Sequence, residues 1–84
     1  MSTLADVLTL REQYKEVLLG IDMLIMDSSI QAAAEREKLP RDISWVRREA
    51  RLALLNDKID DARRFIEQLK DYESKLRSLK ISKV

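Results

Sequence analysis

The residues most suited to chemistry are three acidic side chains in the second half of the chain. Asp57, Asp60 and Asp61 are spaced so that their carboxylates lie within about one turn of a helix. Paired carboxylates act as acid and base only where a dry pocket separates their pKa values. Lysine and arginine residues alternate with these acids, a pattern typical of a solvated helix face. We therefore predict no catalytic residue among them.

The side chains on which many enzymes and metal sites depend do not occur in the sequence. It contains neither histidine nor cysteine. Catalytic triads that use imidazole, thiol nucleophiles and zinc sites with histidine or thiolate ligands are therefore excluded. We expect a protein that is not an enzyme, with no metal, no cofactor and no small-molecule substrate.

An aromatic residue among arginines near the middle of the chain is the candidate nucleic-acid contact. Arginine suits phosphate contact and an aromatic ring suits base stacking. Acidic neighbours and a net charge of +1 weaken any general attraction to nucleic acid. A small nucleic-acid-binding regulator is therefore the alternative function, and its candidate residues are Trp45, Arg47, Arg48 and Arg51.

The elements that carry these residues are predicted to be helices. The 84 residues include one glycine and one proline, with 37% charged and 45% hydrophobic residues, a composition typical of long helices. Apolar residues alternate three and four apart from Val7 to Leu24 and again from Leu52 to Leu76. We predict a single all-α domain over 1–84, an antiparallel hairpin of two long helices. Its parts are a first helix over 4–38, a connection over 39–43 around Pro40, a second helix over 44–79 and a frayed tail over 80–84.

One short segment decides between this hairpin and a different bundle. Asp27, Ser28 and Ser29 are three weak helix formers in a row, and each can hydrogen-bond its own backbone. If the first helix breaks at these residues, the chain forms a three-helix bundle instead.

The first helix carries a second apolar stripe on the side away from its main one. Leu19, Met23, Met26 and Ile30 are four, three and four residues apart. A helix that is apolar nearly all round is normally buried on all sides. We expect this stripe to be a protein interface that pairs two hairpins into a four-helix bundle, as a homodimer, or binds a helical partner. In a three-helix monomer the same stripe would be ordinary core.

The function we predict is protein–protein association or assembly through this apolar face. In length and helix layout the chain is similar to small co-chaperones of type III secretion needles and to short phage proteins. The likeness extends over the whole chain, and it implies a secretion-type co-chaperone or a phage accessory protein as a further alternative. The longest apolar run is about half the ~20 residues that span a bilayer, and no basic signal region precedes it. We therefore expect a cytoplasmic protein with no membrane partner.

Overall fold

Four helices account for almost all of the described chain. The computed structural model describes residues 4–81, and their side chains as far as Leu79. The prediction of an all-α fold is confirmed, but each of the two predicted long helices is divided in two. The helices are α1 (Leu4–Ile25), α2 (Ser28–Arg36), α3 (Leu39–Leu55) and α4 (Ile59–Ile81). The predicted frayed tail therefore falls partly within α4, and its residues 82–84 lie outside the described residues.

The first division falls at Asp27, as the alternative interpretation of the sequence required. Asp27 has an extended backbone (φ −76°, ψ 115°), and its carboxylate accepts hydrogen bonds from the backbone N–H groups of Ser29 and Ile30 at 2.9 and 3.3 Å. These bonds satisfy donors that have no acceptor in the first turn of a helix, so they favour a new helix start over continuation of α1. The axis of α2 is bent by 100° from that of α1.

The predicted connection over 39–43 is wrong, because α3 already begins at Leu39. Pro40 lies in the first turn of α3. Proline is tolerated there, since its missing N–H would have no acceptor within the helix. The α2 and α3 helices are separated instead at Lys38, whose φ of 59° is left-handed.

The second division separates α3 from α4, so the predicted continuous helix over 44–79 is also wrong. Asp57 adopts a left-handed conformation with φ 56°. Its N–H donates to the carbonyl of Leu54 at 3.4 Å, and the N–H of Lys58 donates to the carbonyl of Ala53 at 2.9 Å. This is the paired hydrogen-bond pattern of a Schellman helix end. Aspartate is one of the few residues other than glycine that take the left-handed conformation readily.

The break after α3 also changes which of its side chains are buried. A single long helix would bury Leu52 and Leu55, but they are 45% and 63% exposed. Ala50, Ala53 and Leu54 are buried in their place. The chain reverses direction at the break, so the apolar stripe of α4 is not a continuation of the stripe of α3. Each of the two helices therefore packs its own apolar side against the core.

The core is organised around α4, which contacts each of the other three helices and packs most extensively on α3 and α1. It runs antiparallel to α3, since Trp45 contacts Phe65 while Asp42, nearer the start of α3, acts on Tyr72, nearer the end of α4. Full burial of an apolar side chain of this size is worth about 1.5–3 kcal/mol. The largest fully buried side chains are Ile21, Ile30, Ile66, Leu69 and Leu76.

A glycine allows α1 to pack against a charged position of α4. Glu73 interrupts the apolar stripe of α4, and a Cβ atom at Gly20 would collide with its carboxylate. Arg77 donates a hydrogen bond to the same carboxylate at 3.2 Å. The absence of a side chain at Gly20 thus leaves the space that Glu73 occupies between the two helices.

The described part of the chain contains no single helix long and apolar enough to cross a bilayer. Only α1 and α2 taken together reach that length and composition, and they are bent by 100°.

Candidate functional site

The outer side of α1 presents large apolar side chains to solvent. Leu19 and Met23 are 62% and 64% exposed, and Met26, directly after the helix, is 84% exposed. Their spacing of four and three residues places them on one stripe. We call these three residues the α1 face. Leaving them in water forgoes several kcal/mol of burial, at about 1.5–3 kcal/mol for each side chain.

Ile30, the fourth residue of the predicted stripe, does not belong to this face. It is only 1% exposed and packs in the core. The bend at Asp27 is the reason, because it swings α2 away from the axis of α1 and turns Ile30 inward. The interface predicted from the sequence therefore keeps Leu19, Met23 and Met26 and loses Ile30.

A second exposed apolar surface lies on α3. Trp45 is 51% exposed, and with Leu52 and Leu55 it forms a stripe that also holds two arginines. The positions are four, three, four and three residues apart, so they follow one line along the helix. Sequence reasoning missed this surface because it placed both leucines in the core, although Asn56-Asp57 was a signal that the helix ends there. We call the stripe the α3 face, and its residues are Arg41, Trp45, Arg48, Leu52 and Leu55.

Trp45 borders an open groove between α3 and α4. Its ring meets the ring of Phe65 edge-on, with centroids 6.1 Å apart and planes at 81°. Arg48 and Tyr72 also line the groove. Burial raises the pKa of the Tyr72 hydroxyl, and the negative charge of Asp42 raises it further. The exposed half of the indole is therefore the most accessible apolar surface at this end of α3.

Two arginines of the candidate nucleic-acid contact lie elsewhere on the same helix. Arg47 donates a hydrogen bond to the carboxylate of Asp22 on α1 at 3.3 Å. Arg51 lies close enough to Tyr14 of α1 for its charge to act on the hydroxyl. Arg47 and Arg51 therefore face the seam between α1 and α3, away from the Trp45 groove. The four predicted residues do not form one surface.

A tyrosine completes the seam between α1 and α3. The hydroxyl of Tyr14 donates to the backbone carbonyl of Arg47 at 3.1 Å. Burial raises the pKa of this hydroxyl, while the positive charges of Arg47 and Arg51 and the hydrogen bond to Arg47 act in the opposite direction. This contact and the Asp22–Arg47 pair hold the two helices side by side.

The acidic cluster at the start of α4 consists of exposed, paired carboxylates. Asp60 pairs with Arg63 at 3.6 Å and Asp61 with Arg64 at 2.7 Å. Asp57 is likewise exposed, at the left-handed turn that precedes the helix. Within residues 4–81, no group of three acidic side chains converges where a metal ion would bind.

Apolar exposure is distributed unevenly over the four helices. The outer side of α4 is polar and carries ion pairs such as Lys70–Glu67 at 3.3 Å. Among the described residues, every exposed large apolar side chain belongs to α1, to its C-terminal end or to α3. They are Leu4, Leu8, Leu19, Met23, Met26, Trp45, Leu52 and Leu55.

The chain matches no protein-family model, no curated protein and no solved structure.

Proposed function

We propose that this chain is a non-enzymatic assembly protein that pairs with a second copy of itself through the α1 face. The proposal rests on one observation. Leu19, Met23 and Met26 lie on one stripe, and each is 62–84% exposed to solvent. Small proteins are stable by only about 5–15 kcal/mol. An uncovered stripe worth several kcal/mol is therefore a large fraction of the stability that such a protein has.

The elongated shape of the molecule, 47 × 19 × 16 Å, leaves each helix one side in water. A second copy that covers the apolar outer side of α1 would remove this side from water. Each partner in a standard protein–protein interface buries roughly 800 Å².

The residue types of the α1 face suit a helix–helix contact. Anchors three and four residues apart are the pattern by which one helix recognises another surface. Two of the three anchors are methionines, whose unbranched side chains adapt to the shape of a partner. The face therefore fits a second helix better than it fits a small ligand.

The experiment is a measurement of mass in solution by light scattering. We expect a dimer, twice the 9.8 kDa of the chain. Leu19→Lys and Met23→Lys each place a charge in the proposed interface, and we expect both variants to run as monomers with unchanged helical circular dichroism. Ser74→Lys is the matched control, because it adds the same charge at an exposed position of α4 that belongs to neither face, and this variant should remain a dimer.

Two results would overturn the proposal. One is a wild-type protein that stays at 9.8 kDa at all concentrations. The other is loss of the dimer in the Ser74→Lys control to the same extent as in Met23→Lys.

A further inference from the structure

The second exposed surface, the α3 face, has no role in a dimer that is formed by α1 alone. We infer that the α1 face of one copy docks on the α3 face of the other, so that the dimer contains two equivalent α1–α3 contacts. This inference rests on the proposed self-association and specifies which surfaces meet. The alternative is a contact of α1 with α1, in which the α3 face stays in water.

The two faces border the same seam of the molecule. Asp22 lies at the seam, where it pairs with Arg47, and it is one turn from both Leu19 and Met26. On the other helix Arg51 lies near Tyr14 of α1, and Arg51 is one turn from Arg48 and Leu55 of the α3 face. A second copy placed over this seam therefore meets one edge of each face.

The charges around the two faces are of opposite sign. The helix α1 carries four acidic and two basic residues, whereas α3 carries four arginines and two acids. When the Asp22–Arg47 pair is left out of both counts, α1 has one acid in excess and α3 has one arginine in excess. Opposite charges across an interface favour the correct pairing, and like charges disfavour the wrong one. An α1–α1 contact would bring two acidic segments together.

Burial favours the same arrangement. An α1–α1 contact leaves Trp45, Leu52 and Leu55 exposed, whereas two α1–α3 contacts cover both stripes of both chains. A two-fold interface of this kind is self-complementary and closed, so it forms a dimer and not an open filament. Aromatic residues supply much of the binding energy of many interfaces, and Trp45 is the aromatic residue of the α3 face.

The test uses the fact that the chain contains no cysteine. Met23→Cys places one thiol on the α1 face, and Leu52→Cys places one on the α3 face. The two variants carry tags of different mass, are mixed, and are treated with a short thiol-specific cross-linker. We expect the mixed 23–52 product to be the main dimer, with little 23–23 or 52–52 product. Ser74→Cys, at an exposed position of α4 that belongs to neither face, should give background cross-linking with either variant.

A second variant separates the failure of this inference from the failure of the proposed function. We expect Leu52→Lys to be a monomer, as Met23→Lys is, with wild-type helical circular dichroism. If Leu52→Lys stays dimeric and 23–23 is the main cross-linked product, α1 pairs with α1: the proposed function stands and this inference is overturned. If the wild-type protein is itself monomeric, both are overturned.

Discussion

At the scale of single residues, Tyr14 has the clearest structural role outside the two faces. Its hydroxyl is half-buried and donates to the carbonyl of Arg47 at 3.1 Å, which joins α1 to α3. Burial raises the pKa of this hydroxyl above its ordinary value of 10.0. The folded protein therefore holds the phenol proton more tightly than the unfolded chain does.

Tyr14→Phe is predicted to lower the free energy of unfolding by about 0.5–1.5 kcal/mol at neutral pH, the net value of one hydrogen bond. Above pH 10 tyrosine ionises in the unfolded chain before it ionises in the folded protein, so the wild type loses stability that the variant keeps. We therefore expect the difference between the two proteins to be constant below pH 10 and to shrink above it. Urea denaturation across this range measures the difference. A difference in the free energy of unfolding that widens above pH 10 would contradict the raised pKa of Tyr14.

At the scale of elements, the two helix breaks determine which side chains are exposed. Asp27 starts α2 at 100° to α1, which buries Ile30 and leaves Met26 in water. Asp57 ends the turn after α3, and so places Leu52 and Leu55 on the outside. At each break, the backbone conformation of one aspartate therefore determines which neighbouring side chains are exposed to solvent.

Asp27→Ala is predicted to destabilise the protein by about 0.5–2 kcal/mol, because two backbone N–H groups of α2 lose their acceptor. Asp27→Asn keeps a side-chain oxygen at this position and should lose only a small part of that stability. Thermal denaturation followed by circular dichroism compares the two variants. If Asp27→Asn is as costly as Asp27→Ala, the cap is not the reason for the loss. A gain of helix in Asp27→Ala would indicate that α1 continues through the break.

At the scale of the whole molecule, the surface is strongly one-sided. The outer side of α4 is polar, whereas α1 and α3 carry the exposed leucines, methionines and tryptophan. A molecule 19 × 16 Å in cross-section is about two helices thick, so every helix has an outer side. Among residues 4–79, two of the outer sides are apolar along a stripe, and these are the ones that a second copy would cover.

If the folded state is a dimer, its melting temperature must depend on protein concentration. A tenfold rise in concentration stabilises a dimer by about 1.4 kcal/mol, which corresponds to roughly 3–6 °C for two chains of this size. We expect this rise in wild type and in Ser74→Lys, and none in Met23→Lys. High salt should lower the melting temperature of the wild type. The opposite charges of the two faces are exposed, so salt screens the attraction between them. A wild-type melting temperature that is independent of concentration would contradict self-association.

Composition and periodicity by themselves determined that the chain is helical, where the apolar seam of α1 lies, and that its outer side carries Leu19, Met23 and Met26. These features are local, because residues three and four apart share a helix face whatever the rest of the chain does. The tertiary structure decided the bend at Asp27, the reversal at Asp57, the burial of Ile30 and the exposure of Leu52 and Leu55. A weak helix former permits a break, but whether the chain bends there depends on the apolar surface that the bent form buries against α4. That gain comes from contacts distant in sequence, which no local pattern contains.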